Sequence, residues 1–336
     1  MMDAAHIATD KEIARLQKSL RRIYARAEKQ VGVEIDEWVK AIKERADDLL
    51  KAIESAETDQ ELQAARNAYK QFFVSAVKKD SRFTKMQQEA AKRLYAANTE
   101  ASRHINAHTA KIYADNYNFT GRKLQKDLDG YEFKQISEED ADQYGEITRQ
   151  TVDQKKDRSW NEKNIATAVV AGSLMLWGAD RIAKNAATLT AKKNLDGANR
   201  QVSDMLTDAE SKGRLDSLYR AYDEGFDGIK KEWVCVFDNR TRDTHIEYND
   251  IGPVPLDFEY NVGLKRPRDK NCGDLADVCN CRCAITWDTG LAKSGTRTAR
   301  IGEVNGSYKK PSSFRNTKTE TVKQMTYKEW MKWRSR

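Results

Sequence analysis

The sequence predicts a mainly α protein, in which an elongated helical amino-terminal region is followed by a small α+β module containing cysteine and histidine and then by a basic arm. Three observations predict this order. All four prolines and all five cysteines of the 336 residues lie beyond residue 234. The chain before them keeps a helical period of apolar residues. Lys and Arg are concentrated in the last 46 residues. We expect regions 1–199, 200–290 and 291–336.

The bulk composition is that of a hydrated chain with a core. Charged residues make up 33% and hydrophobic residues 39%, and the mean hydropathy is −0.83, which excludes an integral membrane protein and predicts no stable membrane span. The length favours about two domains. The opening Met-Met-Asp-Ala-Ala-His lacks the basic start and apolar stretch of a signal peptide. Five thiols in such a chain are expected to be reduced, which indicates a cytosolic origin.

Four spacings in the amino-terminal region are typical of helix starts. A hydroxyl followed three residues later by Glu or Gln forms a capping box, and it occurs at Thr9, Thr58, Thr84 and Ser159. Because proline is absent here, long helices can continue without interruption. One helix is expected from Lys85 to Asp127, which would be roughly 60 Å long. That length predicts an elongated molecule or one packed against copies or partners.

The most apolar stretch runs from Ile165 to Ala179. A membrane-active segment is one interpretation, but about fifteen residues fall short of the roughly 18 to 20 that span a bilayer. Asn164 and Asp180 also border it with polar groups. The pattern favours a buried core helix whose glycines allow close approach of a neighbour.

The amino-terminal histidines carry little metal-binding signal. His104 and His108 have the i, i+4 spacing that can hold a metal on one helix face, but Ile105, Asn106 and Ala107 between them supply no carboxylate base. We interpret both as exposed or lightly packed side chains. His6 has no partner visible in the sequence.

The cysteine-containing tract is where chemistry is expected. It contains Trp233-Val-Cys-Val-Phe-Asp-Asn-Arg-Thr-Arg-Asp-Thr-His245, then Cys272, then Cys279-Asn-Cys-Arg-Cys-Ala-Ile-Thr-Trp287. The loop through Pro253, Pro255 and Pro267 is expected to return the chain, so that Trp233–Val236 and Cys283–Trp287 pair as neighbouring strands. Asp238, Arg242 and His245 should then lie near the segment from Cys279 to Cys283.

Two interpretations of the thiols remain open. Cys279, Cys281 and Cys283 alternate, so on a strand all three would point to one side and could not all reach one ion without a bend. Cys281, Cys283, Cys272 and His245 can supply the ligands of a tetrahedral zinc site, with Cys279 as an alternative. Alternatively, the cysteines are small buried hydrophobes, and His245 hydrogen-bonds to Asp238 or to a main-chain carbonyl.

Catalysis is the less favoured function for this tract. His245-Ile-Glu247 is the H-x-E triplet of zinc deaminases, but the P-C-x-x-C that accompanies it there is absent. Asp238, Arg242 and His245 are also residue types of a metal-dependent nuclease, although no second histidine stands at a recognisable spacing. The sequence therefore predicts a protein that is not an enzyme, with a zinc-dependent nucleic-acid enzyme or toxin as the alternative.

The carboxy-terminal arm, residues 291–336, differs in charge from the rest. It holds 12 Lys and Arg against 3 Asp and Glu, whereas the preceding residues are nearly balanced. We expect Lys309, Lys310, Arg315 and Lys318 to contact duplex phosphates without sequence preference. The first part of the arm is turn-rich. Val322, Met325, Trp330 and Trp333 fall on one helical face and predict a short amphipathic helix that docks on a partner.

Several elements of the cysteine-containing tract together resemble the phage Mu F-like domain of tailed-bacteriophage head morphogenesis proteins. These are a helix containing Leu206-Thr-Asp208, a strand opened by Trp233, the motif Asp238-x-Arg-Thr-Arg242-x-x-His245, Gly252, and Asn280-Cys-Arg-Cys283. The match covers about residues 200 to 288. Carried over by position, Asp238, Arg242 and His245 occupy the first motif of that family, and Asn280, Cys281 and Cys283 the last.

The resemblance implies a structural minor head protein, present in few copies and associated with the portal vertex or capsid interior. Such a protein assists head assembly, genome packaging or ejection. Its partners would be the portal protein, other head proteins and the packaged double-stranded DNA, and it would be found in virions and, during assembly, in the host cytoplasm. Many relatives carry C-x-x-C in the first motif and His-Pro before the last. Here Arg242 and His245 stand where the two cysteines of the first motif would be, and Val278-Cys279 replaces His-Pro.

Overall fold

The computed structural model describes residues 4–144, 157–236, 241–290, 296–301 and 318–323. These ranges are mostly helical, which confirms the predicted class. The helices are α1 (Ala4–Glu44), α2 (Asp47–Glu54), α3 (Asp59–Lys79), α4 (Ser81–Asp127), α5 (Glu138–Tyr144), α6 (Arg158–Leu174), α7 (Ala179–Asp223), α8 (Asp243–Ile251) and α9 (Leu275–Val278). The strands are β1 (Lys230–Val234), β2 (Ala284–Asp288), β3 (Thr296–Ile301) and β4 (Lys318–Lys323).

The chain divides into two compact units that are discontinuous in sequence. The first unit comprises residues 1–15, 105–149 and 202–336, and the second comprises 16–104 and 150–201. The predicted boundary after residue 199 falls inside α7, close to where the units divide. The sequence pattern did not reveal that the first turns of α1 and the second half of α4 belong with the cysteine-containing module, because helical periodicity reports a buried face and not its partner.

The second unit is held by apolar helix faces and by a buried chain of amides. Tyr24 donates its hydroxyl to Asn98 at 2.7 Å, Asn98 donates to Asn194 at 2.9 Å, and Asn194 donates to Asn161 at 2.8 Å. These residues lie on α1, α4, α7 and α6. A buried amide requires hydrogen-bond partners. This series of hydrogen bonds therefore fixes the register of the four helices.

Helix starts agree with the capping prediction at one of four positions. The box at Thr58 is complete, because Thr58 accepts from the Glu61 amide and Glu61 accepts in return. The prediction is wrong at Thr9, which lies inside α1 and donates to the Ala5 carbonyl at 3.1 Å. At the other two sites the helix starts earlier: Asp80 accepts from the Arg82 amide, and Asp157 accepts from the Trp160 amide. A carboxylate upstream is an equally good cap.

The predicted long helix is present. Helix α4 has 47 residues, which corresponds to about 70 Å. It begins four residues before the predicted start and ends at the predicted Asp127.

The sequence predicts a single buried helix for the apolar stretch, and this prediction is wrong. Helix α6 ends at Leu174, and Leu176 adopts the left-handed φ of 55° before α7 begins. Ile165 and Val169 are buried, but Met175 is 67% exposed. The helices in the described ranges include none with the length and apolar character needed to cross a bilayer.

The first unit contains both described sheets. Strands β1 and β2 pair antiparallel with Trp233 opposite Ile285, which confirms the predicted pairing, although β1 begins earlier, at Lys230, and ends at Val234. Strands β3 and β4 also pair antiparallel. Val322 therefore lies on a strand and not on the predicted helix. The reason is the β-branched content of Lys-Thr-Glu-Thr-Val-Lys, which favours strand. Met325, Trp330 and Trp333 lie outside the described residues.

His6 is buried and has a partner that the sequence did not show. Its Nδ1 lies 2.7 Å from Glu210 Oε1 on α7. Burial acts to lower the pKa of His6, but attraction to Glu210 and the hydrogen bond with it outweigh burial and raise the pKa above 6.5.

The histidines of α4 are as predicted: His104 is exposed, and His108 is partly exposed and 3.1 Å from Glu12.

Replacing Ala96 with proline should break α4, because proline removes one hydrogen bond and clashes with the preceding turn. Ala96 is exposed, so packing does not confound the result. We expect a loss of about 3 kcal/mol for Ala96→Pro and about 1 kcal/mol for the control Ala96→Gly. Circular dichroism at 222 nm and the melting temperature measure both. Equal stability of the two variants would contradict a continuous helix.

The His6–Glu210 pair should make the first unit more stable in mild acid. A raised folded pKa means that the stabilisation is complete below about pH 6.5 and is lost as the pH rises through the folded value. His6→Gln should therefore lower the melting temperature more at pH 5.5 than at pH 9. His104→Gln, at an exposed histidine of α4, serves as the control for the loss of an imidazole. A pH-independent effect of His6→Gln would contradict a charged His6.

Candidate metal centre

The candidate site is built where α8, α9 and β2 meet. His245 lies in the first turn of α8, which begins directly after Arg242. Cys281 and Cys283 lie between the end of α9 and the start of β2. Asn280 adopts φ 55°, a left-handed conformation that asparagine tolerates better than most residues. This bend turns the chain out of α9 and brings both thiols towards His245.

His245, Cys281 and Cys283 form one buried cluster. His245 Nδ1 is 3.4 Å from Cys283 Sγ and 3.7 Å from Cys281 Sγ. The three ligand atoms all lie within 4.8 Å of one another, and each side chain is at most 3% exposed. The cluster can hold a metal ion.

The second nitrogen of His245 is fixed by a hydrogen bond to the main chain. Nε2 donates to the Asp277 carbonyl at 3.0 Å, and Nδ1 faces the two sulfurs. A hydrogen bond of this kind sets the tautomer and the ring orientation of a metal-binding histidine. The predicted alternative, a hydrogen bond from His245 to a main-chain carbonyl, is therefore present together with the cluster.

Asp277 is the polar centre of the layer behind the cluster. Its carboxylate accepts from Tyr248 at 2.7 Å, from Asn261 at 2.9 Å and from Thr244 at 3.0 Å. Burial acts to raise the pKa of Asp277, but these hydrogen bonds lower it below its ordinary value. Burial and the bond to Asp277 raise the pKa of Tyr248. The carboxylate is thus charged and connects α8, α9 and the loop at Asn261.

The pKa values of the two thiols are shifted in opposite directions. Burial acts to raise the pKa of Cys281, but hydrogen bonds with Cys283 and His245 lower it well below that of a free thiol. Burial and the neighbouring Cys281 raise the pKa of Cys283. The Cys283 amide also donates to Cys281 Sγ at 3.4 Å. The thiolate is the form that binds metal, and the lowered pKa of Cys281 favours that form.

Aromatic rings enclose the cluster. Trp233 is fully buried and contacts His245, Tyr248 and Tyr260 edge-on, with ring centroids 5.2, 5.3 and 5.0 Å apart. Edge-to-face contacts at such distances stabilise beyond the area that they bury. The tryptophan that opens the sequence motif therefore forms one wall of the site.

Other predicted site residues lie around the cluster but not in it. The Arg242 guanidinium donates to the Cys279 carbonyl. Cys279 is exposed, so it is not the alternative ligand. Cys272 is buried, but its thiol contacts the Asp274 carbonyl at 3.4 Å instead of joining the three. Asp238 lies outside the described residues.

Three ligands are too few to close a tetrahedral site. In the ranges described, no fourth Cys, His, Asp or Glu joins the group. The donor set of two sulfurs and one imidazole suits zinc, whereas a hard cation such as magnesium prefers oxygen.

Sequence reasoning missed Asp277 and Arg268. Arg268 donates to the Cys281 carbonyl at 2.9 Å and pairs with Asp204 on α7. The only feature of the sequence that could have indicated them is their position close to the cysteines, since neither belongs to a recognisable motif.

Glu247 does not face the cluster. It is exposed, whereas His245 two residues earlier is buried. Two residues along a helix correspond to about 200° of rotation, so the H-x-E triplet places its two side chains on opposite faces of α8.

Comparison of the chain with protein-family models, with curated proteins and with solved structures gave no match.

Asp277→Asn should destabilise the module by about 2 to 4 kcal/mol, because an amide cannot accept all three hydrogen bonds. The folded pKa of Asp277 is depressed, so its contribution is present above about pH 4 and is lost as the pH falls through the folded value. Urea unfolding at pH 7 and pH 3 measures this. Tyr248→Phe, which removes a single bond, should cost about 1 kcal/mol. An equal loss for Asp277→Asn at both pH values would contradict an ionised hub.

Proposed function

We propose that this chain is a structural minor head protein of a tailed phage, associated with the portal vertex or capsid interior, and that it assists head assembly, genome packaging or ejection. The observation that carries the proposal is the convergence of the sequence motifs. Trp233 contacts His245, Arg242 contacts Cys279, and His245 contacts Cys281 and Cys283. Elements separated by about forty residues thus form one small module, as expected if the motif order reflects a shared fold.

A structural role is favoured over catalysis by the burial of the cluster. Three protein ligands would leave a zinc ion with one free position, as in catalytic sites, but the cluster is buried, which restricts the access of a substrate to that position. His245 is 2% exposed and Cys283 is 3% exposed. Glu247, the proton carrier required of a deaminase, faces away from them. These features support a chain that is not an enzyme.

The ion that we propose for the cluster is zinc, held by His245, Cys281 and Cys283. Bound there, it would connect α8 to the segment that enters β2, and its binding free energy would contribute to the folding of the module.

The arm supplies the proposed external contacts. Lys309, Lys310, Arg315 and Lys318 would contact packaged double-stranded DNA, and Met325, Trp330 and Trp333 would dock on the portal protein or another head protein. Of these, Lys318 is a residue of β4, while Lys309, Lys310 and Arg315 lie outside the described residues. The charge of the arm supports contact with DNA. The protein would reside in the virion and, during assembly, in the host cytoplasm.

Cys281→Ser should release zinc and unfold the module, and the chain should then be missing from phage heads. Cys279→Ser, at the exposed cysteine, is the matched control and should keep both zinc and incorporation. Metal content is measured by mass spectrometry of the purified chain, and incorporation by mass spectrometry of procapsids and virions. A folded wild-type chain without metal would contradict the zinc assignment.

Glu247→Gln separates the structural role from the alternative, a zinc-dependent nucleic-acid enzyme or toxin. A structural protein carrying this exposed change should incorporate and support plaque formation as the wild type does. Normal incorporation with loss of infectivity, or toxicity of the wild-type chain that the variant lacks, would favour the enzyme.

A further inference from the structure

A groove lies between the first turns of α1 and the second half of α4, within the first unit. Its volume is about 700 Å³. Small side chains at Ala4, Ala5 and Ala8 leave the space on the α1 side. The floor is formed by the buried Thr9 and Asn116 and by the partly exposed Phe119.

The walls of this groove are strongly basic. Six of the lining residues are cationic: Lys11, Arg15, Lys111, Arg122, Lys123 and Lys126. Two are acidic, Glu12 and Asp115. Outside the arm the chain holds 47 basic and 49 acidic residues, so this concentration is local and was hidden by the average.

The two carboxylates are already engaged at the edges. Glu12 lies 3.2 Å from Arg15 and 3.1 Å from His108, and Asp115 lies 2.6 Å from Lys111. Among the described residues, Lys11, Arg122, Lys123 and Lys126 form no ion pair. Their charge is available to a ligand.

The cations are spaced along the groove. Lys11 and Arg15 stand four residues apart on α1, as do Arg122 and Lys126 on α4, which places successive charges about 6 Å apart along each helix. Phe119 lies between them, with Lys123 Nζ and Arg214 Cζ each 5.8 Å from its ring centre. Rows of cations neutralise the phosphates of a nucleic-acid backbone without reading its sequence.

We propose that this groove binds the phosphate backbone of nucleic acid without sequence preference. Two rows of charge suit a chain of phosphates better than a single small anion, which would engage only one or two of the cations. None of the lining residues named above belongs to the Cys/His cluster or to the arm sequence, so the site does not depend on zinc.

The test compares two double variants of the full-length chain with equal charge change. Arg122→Gln with Lys126→Gln neutralises the groove, and Arg66→Gln with Lys85→Gln neutralises exposed positions on α3 and α4 of the second unit. Binding of a fluorescein-labelled 20-base-pair duplex is followed by anisotropy from 50 to 200 mM salt, and melting temperatures confirm folding.

We expect the groove variant to bind on the order of tenfold more weakly at 0.1 M salt and its log K against log salt slope to be shallower by about two. The control should match the wild type. Equal behaviour of the two variants would overturn the proposal, since the effect would then follow net charge alone or be absent. Unchanged DNA binding with lost binding of polyglutamate would also overturn it and assign the groove to an acidic protein segment. Zinc content should be unaffected in either variant.

Discussion

The first unit depends on one buried arginine. Arg214 on α7 is fully buried, and its guanidinium donates to Asn116 on α4 at 3.0 Å and to the Ile285 carbonyl of β2 at 3.1 Å. It also lies 3.1 Å from Glu210, which in turn binds His6 of α1. Removing one partner of such a buried pair leaves an uncompensated charge, which typically costs about 3 to 5 kcal/mol. One side chain therefore fixes the positions of four elements: the start of α1, the second half of α4, helix α7 and strand β2.

This constraint reaches the candidate metal centre through β2. The carbonyl that Arg214 binds belongs to Ile285, two residues after Cys283 and directly opposite Trp233 in the strand pairing. The position of Ile285 therefore determines the positions of Cys283 along the chain and of Trp233 on the neighbouring strand. Arg268 adds a second link, since it binds the Cys281 carbonyl and Asp204 of α7.

The arrangement explains why the module can do without a large core of its own. Its apolar cluster contains the four buried cysteines, Trp233 and two tyrosines, and the Asp277 carboxylate accepts hydrogen bonds from Tyr248, Asn261 and Thr244 beside it. The cluster is enclosed and stabilises the fold of the module. Contacts with other molecules are therefore expected at exposed surfaces. The basic groove is such a surface, and the arm has a similarly basic composition; we propose both as contacts for phosphates.

The sequence by itself determined the helical class, the long helix ending at Asp127, the pairing of Trp233 with the strand after Cys283, and the approach of His245 to the segment from Cys279 to Cys283. These follow from local signals: periodicity, absence of proline, and motif spacing. Only the tertiary structure decided which cysteines join His245, because Cys272, Cys279 and Cys283 look alike in sequence, and the bend at Asn280 selects among them. Periodicity likewise shows that a helix has a buried face without showing what covers it. The partners of His6, the hub at Asp277 and the groove of cations arise from residues more than fifteen positions apart, and distances between such residues are set by packing and not by spacing along the chain.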